Sequence, residues 1–439
     1  MASEWRNWAG DQRCTPAEIE RPGTRPELVE AIGRAARAGR GVRAAASGHS
    51  FTDIACTEGT MLRLERLNCV LDLDRASGLV RVEAGIAVGD LAEALQTYGL
   101  ALENQGDIDR QTLAGAISTA THGTGASFRN MSAQVEAVEL VLADGGVAEL
   151  SAESDPEGLQ AARAGLGALG ILYSVTLRTV PAFTIRRVDR PAPVDETLAG
   201  LDELVDSNDH FELYVFPHTD IAVQRASERT DEPPRPRPRL TEYLQEVVIE
   251  NWVVEAYARL ARRFPSLTPR LARLVAAQLG RSVKVDRSHR VYASERRVRF
   301  TEMEYGIPRE HGAEAVRRVL ELIEGERLYV SFPIEVRFVA PDDIFLSPSH
   351  ERETCYIAVH MYGGVEWERY FRGVEGIMDS YGGRPHWGKR HFQTAGTLAP
   401  RYARWEDFQE VRARLDPEGR FANAYTERVL GPALAPARA

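Results

Sequence analysis

Apolar and polar positions in the first third of the chain switch repeatedly between the spacing of a helix and that of a strand. Thr24, with Glu27 three residues later, predicts the start of a helix that ends before Gly39. Further along, the pattern predicts a strand at 42–46, a strand at 79–84, a helix capped by Asp90 and a hairpin over 135–150. These elements indicate an α+β domain with short strands that ends near residue 180.

The rest of the chain predicts a second domain. Residues 231–238 are rich in proline and predict a surface loop, because proline cannot donate to a strand ladder or continue a helix. The elements predicted after this loop are helices at about 240–263 and 268–279, a strand at 298–305, and a helix running to about 323 with Pro308 in its first turn.

Composition and charge narrow the class of protein. The net charge of −10 over 439 residues argues against non-specific binding to nucleic acid, because the surface as a whole repels a phosphate backbone. No apolar stretch reaches the roughly 18 residues of a membrane-spanning helix, and no secretory signal is visible. The four cysteines are scattered, so we expect a reducing, cytoplasmic environment.

One segment departs from the acidic average. Residues 255–300 contain twelve Lys or Arg and three Asp or Glu. The simpler interpretation is a solvated pair of helices. The alternative is a surface that contacts an anionic membrane peripherally or binds an acidic electron-transfer partner.

A glycine pattern from Gly165 to Gly170 matches the G-x-G-x-x-G signature of dinucleotide sites. That signature binds a pyrophosphate when the glycines follow a strand and open a helix. Here a helical stretch precedes the glycines and a β-rich stretch follows them, so a nicotinamide site is a poor fit. The spacing of the histidines gives no support for a metal site.

Two other loops combine small residues with a histidine, His49 in one and His122 in the other. Loops of Gly, Ser and Thr present backbone N–H groups and hydroxyls, which suits a diphosphate, so the pair favours a nucleotide cofactor. Glu335 and Arg337 share one face of a predicted strand. They form either a structural ion pair or a polar clamp for a hydroxylated substrate.

Six short motifs spread over the chain carry a resemblance to a known family. They are Asn7-Trp8-Ala9-Gly10, Gly48-His49-Ser50, Thr121-His122-Gly123-Thr124-Gly125, Glu335-Val336-Arg337, His386-Trp387-Gly388-Lys389 and Asn423-Ala424-Tyr425. In this combination the chain resembles the sugar-lactone oxidoreductases of the vanillyl-alcohol-oxidase flavoprotein superfamily, with L-gulono-1,4-lactone oxidases and dehydrogenases as the nearest group.

The resemblance implies an α+β fold of two domains. We expect an FAD-binding domain of the PCMH type at 1–180 and a substrate, or cap, domain at 181–439. The second domain is expected to contain an antiparallel sheet with helices, and residues from about 384 to 439 are expected to return to the FAD site.

The resemblance also implies residue roles. His49 matches a histidine that is bonded to the 8α carbon of the flavin, and Lys389 a lysine near the flavin N1–C2=O edge. The other FAD contacts implied are Arg43, Ser47, Gly48, Ser50, Asp107, Thr112, Gly115, Thr119, His122, Ile171 and His386. Gly106 aligns with a residue that gates the access of oxygen to the flavin.

Three residues are candidates for handling the substrate. Arg337 stays protonated and can hydrogen-bond the lactone oxygens, whereas Glu335 is the better candidate to bind or deprotonate the hydroxyl. His360 falls where related alditol oxidases hold a substrate-contacting side chain, although a structural histidine is nearly as good an interpretation.

These expectations combine into one predicted activity. An FAD bonded to His49 oxidises the C2 hydroxyl of L-gulono-1,4-lactone, or of a close aldonolactone, to a 2-keto lactone that tautomerises to ascorbate or an analogue. Oxygen or another acceptor takes the electrons. The alternatives are an alditol oxidase acting on xylitol or sorbitol, and a non-catalytic FAD-binding protein that docks a partner through residues 255–300.

Overall fold

A computed structural model describes residues 4–236, 251–294 and 296–433. Two sheets dominate its first part. A parallel sheet has the strand order Glu18–Glu20, Thr60–Arg63, Val42–Ala45, and an antiparallel sheet has the order Val147–Ser151, Val135–Val141, Ile171–Arg178, Leu79–Glu83, Val70–Asp74. Two short strand pairs accompany them, Trp5–Arg6 with Arg13–Cys14 and Leu100–Ala101 with Val180–Pro181.

The second part is built on an eight-stranded sheet. Its strand order is Ser282–Arg287, Thr184–Pro193, Ile221–Thr230, His210–Val215, Ile334–Val339, Thr354–Tyr362, Phe300–Pro308, Arg384–Pro385, and every neighbouring pair is antiparallel. One face packs on the helices Val194–Ala199, Leu201–Asp206, Gly312–Gly325 and Glu368–Asp379. The opposite face is free to carry polar side chains, because alternate residues of a strand point to opposite sides.

The remaining α-helices surround these sheets. Those of the first part are Arg25–Arg37, Val88–Thr97, Leu113–Ser118 and Pro156–Ala162; the later ones are Val254–Arg263, Thr268–Ala276, Ser288–Tyr292, Ala395–Leu398, Trp405–Leu415 and Ala424–Leu430. Within the described ranges, no helix combines the length and the apolar character that crossing a bilayer requires.

The hydrophobic core of the first part includes residues from the last described segment of the chain. Leu398, Trp405, Phe408 and Tyr425 are buried in the same cluster as Leu28 and the other apolar residues of the first sheets. A second cluster lies between the eight-stranded sheet and its helices. The chain therefore leaves the first core, builds the second and returns. The proposed boundary near residue 180 stays a prediction.

Several predicted elements are confirmed. The first helix begins after Thr24, whose hydroxyl accepts the N–H of Glu27 at 3.3 Å, and it ends before Gly39 at a positive φ of 66°. The Glu27 carboxylate accepts the N–H of Gly23 instead of that of Thr24, so only half of the capping box forms. The hairpin forms with Val141 opposite Val147.

Two predicted helix starts are wrong. Asp90 lies in the first turn of its helix and does not cap it, because the first N–H groups of that helix donate to backbone carbonyls of a loop that follows the helix in the chain, Val88 to Gln111 and Gly89 to Asp109. Pro308 ends a strand, since pairing with Thr354 extends that strand by three residues beyond Tyr305. Its helix begins at Gly312, after a short 3₁₀ turn.

The predictions around the proline-rich loop are tested only in part. Residues 237–250 lie outside the described residues, and with them the end of the loop and the start of the helix predicted at 240–263. The described helix there is Val254–Arg263, and the next one, Thr268–Ala276, is three residues shorter than predicted.

Candidate active site

A cleft with an empty volume of about 1120 Å³ lies between four segments of the chain. Its walls come from residues 43–55, 111–119, 162–172 and 386–389. More than half of the lining residues are Gly, Ala, Ser or Thr, so backbone amides and hydroxyls face the space without bulky side chains. Its small residues and free backbone amides suit a ligand that carries phosphates.

Most of the predicted cofactor residues line this cleft. They are Arg43, Ser47, Gly48, His49, Ser50, Thr112, Gly115, Thr119, Ile171, His386 and Lys389. The glycines of the 165–170 loop line it too, between the helix Pro156–Ala162 and the strand Ile171–Arg178. The order helix, glycines, strand is the one expected from the sequence, but a role of this loop in the cleft was not predicted.

Arg43 joins two walls of the cleft to the C-terminal segment at Phe421. Its side chain is buried, and its five N–H groups donate to the backbone carbonyl oxygens of Ile54, Leu166, Gly167 and Phe421. Burial lowers the pKa of the guanidinium to about 10, which leaves it protonated at neutral pH. Because its donors are all used on the protein, Arg43 fixes the shape of the cleft and has no N–H left for a phosphate.

The loop that carries His49 is fixed by its neighbours. Gly48 has a φ of +74°, and a Cβ there would lie 3.2 Å from the ring of Trp5, so glycine is required at this position. On the other side of His49, the N–H of Phe51 donates to the carbonyl oxygen of Gly388 at 2.7 Å. The loop thus packs closely on Trp5 on one side and is hydrogen-bonded to Gly388 on the other.

His49 is a neutral imidazole at the edge of the cleft. Its ring stacks on Trp8, with ring centroids 5.4 Å apart and an angle of 26° between the planes. Burial, and then the positive charge of Lys389, lowers the pKa of His49 to about 4. A neutral ring has a free lone pair at pH 7, which is the form that a nucleophile needs.

Three adjacent strands place charged side chains together. Glu302 lies opposite His360, and Glu335 lies opposite Ala358. Alternation along these strands sends apolar residues such as Met303 into the second core. The opposite face presents the buried side chains of Glu302, Glu304, Glu335, Arg337, Tyr356 and His360.

Lys389 joins this face to the cleft. Its ammonium forms an ion pair with Glu302, and the second oxygen of that carboxylate lies 3.4 Å from Nε2 of His360. The Lys389 and Glu302 side chains are only 14% and 6% exposed. Burial opposes both charges, but the attraction outweighs it, so the pKa of Glu302 is lowered and that of Lys389 is raised.

Arg337 lies among three carboxylates. It forms an ion pair with Glu335, its Nε donates to Glu212 at 3.1 Å, and its Nη2 lies 3.4 Å from Asp107. Tyr214 donates its hydroxyl to Glu335 at 3.2 Å. Burial raises the pKa of Glu335; Arg337 opposes this shift, and the other two carboxylates add to it. A buried carboxylate with a raised pKa is suited to accept a proton.

His122 does not line the cleft and pairs with Glu304 instead. Its Nδ1 lies 2.8 Å from the carbonyl oxygen of Gly123, and its Nε2 lies 3.2 Å from Glu304. Because both neighbours are acceptors, the pair holds either a doubly protonated ring or a protonated carboxyl group. Burial opposes the ionisation of Glu304, but the pairing with His122 outweighs it and lowers the pKa of the carboxyl group.

His386 completes a cluster of three buried side chains with His122 and Glu304, whose ligand atoms lie within 4.8 Å of one another. Burial lowers the pKa of His386 to about 3, and its Nδ1 accepts the N–H of Gly388 at 3.0 Å. The neutral ring therefore carries its proton on Nε2. The three side chains are also of the types that bind metal ions, a grouping that the spacing of the histidines did not predict.

Gly106 and Asp107 also lie off the lining of the cleft. A Cβ at Gly106 would lie 3.1 Å from Cγ2 of Thr121 and 3.3 Å from the carbonyl oxygen of His122. Asp107 contacts Arg337, which places it beside the substrate candidates and away from the phosphate-like part of the cleft.

Sequence reasoning missed the two carboxylates that organise the site, Glu302 and Glu304. The signal was present, because both alternate with the core residues Met303 and Tyr305 in a strand that was predicted. Two buried acids on one face of a strand need partners, which is a reason to look for cations beside them.

Known proteins match the chain along its whole length. Residues 175–429 match the profile of the D-arabinono-1,4-lactone oxidase family, and residues 16–151 match that of an FAD-binding domain. The chain is 52% identical to the L-gulono-1,4-lactone dehydrogenase of Mycobacterium tuberculosis over 432 residues, which cover 98% of this chain and 100% of that protein. The chain belongs to the D-arabinono-1,4-lactone oxidase family.

The chain is also similar to a mammalian relative and, in fold, to a solved structure. The L-gulonolactone oxidase of Bos taurus is 33% identical over 97% of this chain and 98% of its own. A cholesterol oxidase from B. sterolicum superposes with a TM-score of 0.81 at 15% identity, covering 98% of this chain and 96% of that one, which shows a shared fold.

Membership of the D-arabinono-1,4-lactone oxidase family confirms the broad predictions. The fold is that of the vanillyl-alcohol-oxidase flavoproteins, with an FAD-binding part and a substrate part. The protein is an FAD-dependent oxidoreductase of the aldonolactone group. The cleft fits this cofactor, because its small residues leave room for the diphosphate and the neutral ring of His49 lies at its edge.

Proposed function

We propose that the protein oxidises the C2 hydroxyl of L-gulono-1,4-lactone, or of a close aldonolactone, with an FAD bonded to His49. The product is a 2-keto lactone that tautomerises to ascorbate or an analogue. The observation that carries the proposal is the buried charge network on the sheet face. It runs from Lys389 at the cleft through Glu302 and His360 to Glu335 and Arg337.

Each side chain of the network has a distinct task in this reaction. FAD supplies the hydride acceptor when bound. Glu335 accepts the proton of the C2 hydroxyl, and Arg337 donates hydrogen bonds to the lactone oxygens and orients the ring. Lys389 holds a positive charge at the cleft, where it stabilises an anion. Glu302 and His360 keep that charge in place.

The assay that tests this activity compares two substrates. We expect L-gulono-1,4-lactone to bleach the flavin absorbance anaerobically, and xylitol to do so at least about tenfold more slowly, a difference of about 1.4 kcal/mol in barrier. Faster bleaching by xylitol would make the protein an alditol oxidase with the same residues. A flavin that no lactone or polyol bleaches would favour the non-catalytic alternative.

We make separate proposals for the residues that contact the cofactor and for the residue that controls access of the electron acceptor. Thr112 accepts the N–H of Gly115 at 3.3 Å, and Thr119 donates to the carbonyl oxygen of Gly115 at 3.0 Å, so these residues shape the cleft wall that meets the FAD. We assign the control of oxygen access to Gly106. On this assignment the small residue favours dioxygen as the electron acceptor, and the alternative is another acceptor.

The basic surface at 255–300 is the candidate for a peripheral membrane contact. Its helices expose the apolar side chains of Leu260, Phe264 and Leu274 beside Arg262 and Arg263. Exposed apolar residues next to arginines suit an anionic interface. Sedimentation with anionic liposomes at low salt tests the contact, and a protein that stays in the supernatant rules it out.

A further inference from the structure

The ring of His49 is oriented by one contact. No hydrogen bond joins it to any residue that the structure describes, and its ring contact is the stack on Trp8. The other histidines of the site differ, because His122, His360 and His386 each have a ring nitrogen within hydrogen-bonding distance of a protein atom. A ring without hydrogen bonds rotates unless a neighbour packs against its face.

Trp8 is itself rigidly held. Its indole meets the rings of Phe51 and Phe300 edge to face, with ring centroids 6.4 and 5.4 Å away. Its backbone N–H donates to the carbonyl oxygen of Gly48 at 2.8 Å. The indole therefore offers the face on which the imidazole of His49 rests, in a fixed position relative to the backbone of the His49 loop.

The neighbouring residues strengthen this attachment on the other side of His49. The side-chain amide of Asn7 donates to the carbonyl oxygen of Ser50 at 3.0 Å, and that of Gln12 donates to Phe51 at 3.1 Å. The segment Trp5–Gln12, which we call the N-terminal strap, thus holds the residues before and after His49 and stacks on its ring.

We propose that Trp8 is a positioning residue for the bond between His49 and the flavin, and that the N-terminal strap aims the imidazole nitrogen at the 8α carbon. The inference rests on the proposed covalent link. The new bond joins a ring nitrogen of His49 to the 8α carbon. The nitrogen and the carbon each lose a proton, and the electron pair left by the carbon reduces the flavin, which dioxygen then reoxidises.

The geometry matters because this bond forms once, between a ring and a carbon that must approach along the lone pair. Misplacing a reacting atom by about 1 Å costs on the order of a hundredfold in rate. A side chain without a flat face allows His49 to turn away while the cleft still holds the FAD by its other contacts. The expected defect is slow bond formation with normal binding of the cofactor.

The test compares the native protein with Trp8→Leu, Trp8→Phe and Trp367→Ala. Leucine fills the space without a flat ring, and phenylalanine keeps one. Trp367 is partly buried like Trp8 but packs on Phe371 and Phe392, so its replacement is the matched control. Each protein is saturated with FAD and precipitated with acid at intervals, and flavin is measured in the pellet and the supernatant.

We expect the pellet of the native protein, of Trp8→Phe and of Trp367→Ala to retain the flavin. Trp8→Leu should bind FAD in its native state but attach it at least about tenfold more slowly. Attachment by Trp8→Leu at the rate of the Trp367→Ala control would overturn the role of Trp8 and leave the covalent link intact. Flavin released by the native protein would overturn the link and the inference together.

Discussion

Replacing Glu302 with glutamine removes the charge that faces Lys389 and keeps the shape of the side chain. The amide oxygen of glutamine still accepts a hydrogen bond from His360, so the strand and its neighbours stay in place. What changes is the environment of the ammonium, whose side chain is only 14% exposed and now lacks its nearest anion. The variant therefore isolates the electrostatic part of the interaction.

The size of the effect follows from the burial of both partners. Breaking a buried ion pair by removing one charge costs about 3–5 kcal/mol. Lys389 can avoid this cost by losing its proton, and about 3 kcal/mol corresponds to about 2 units of pKa. The pKa of Lys389 is raised above 10.5 in the native protein, with burial acting against Glu302 and Glu304. In the variant burial still acts while the largest opposing attraction is gone, so we expect the pKa of Lys389 to fall below its native value.

The sign of the pH dependence follows. In the native protein Lys389 stays charged over the whole assay range, so its contribution to stability and to anion binding is lost only above pH 10.5. In Glu302→Gln that contribution disappears as the pH rises through the lowered pKa. The alkaline limb in the profile of kcat against pH should therefore begin at a lower pH in the variant than in the native protein.

The assay is the pH profile of kcat with the lactone, combined with a pH titration of the flavin spectrum. Glu368→Gln is the matched control, because Glu368 pairs with Arg372 on the surface with both side chains more than half exposed. The control should keep the native profile. An alkaline limb of Glu302→Gln within about half a unit of the native one would refute the argument that Glu302 holds the charge of Lys389.

Three further changes test other parts of the site. Glu335→Gln should lower kcat by about a hundredfold or more with little change in the amount of bound flavin, because it removes the group that accepts the proton. A rate within about threefold of the native one in anaerobic single turnovers would exclude Glu335 as the base. Gly106→Ala places a methyl group 3.1 Å from Thr121 and should slow reoxidation of the flavin by oxygen without slowing its reduction by substrate. Equal rates of reoxidation in stopped-flow experiments would refute the role of Gly106 in oxygen access. Arg43→Met leaves the carbonyl groups of Leu166, Gly167 and Phe421 without their donor and should lower the free energy of unfolding by about 3 kcal/mol or more, measured by urea denaturation. The exposed Arg34→Met should change it far less.

The sequence could predict the elements whose signals are local. The cap at Thr24 and the alternation around Glu335 each depend on residues a few positions apart, and both are found in the structure. The prediction at Pro308 was wrong because the preference of proline for a first helical turn competes with strand pairing to Thr354. That strand partner lies 46 residues further along the chain. Local strand or helix propensity does not include the energy of such a distant contact.

The candidate site shows the same division. The motifs around His49 and Lys389 located the cleft, but the partner that sets the charge of Lys389 comes from another strand and carries no motif. The donors of Arg43 appeared available for a phosphate in the sequence, whereas the structure shows them used by carbonyl groups from distant segments. Pairings between segments that are distant in the sequence are revealed only by the structure.

One of those carbonyl groups sets the timing of assembly during synthesis. The guanidinium of Arg43 donates to Phe421, which follows it by 378 residues. At about 5–20 residues per second, a ribosome needs roughly 20 to 75 s to add that stretch. During this interval the emerging first part has its glycine loops but lacks the lining residues 386–389 and the carbonyl group of Phe421, so the cleft is complete only near the end of synthesis. A protein shortened before residue 421 would lack the acceptor that Phe421 provides for Arg43.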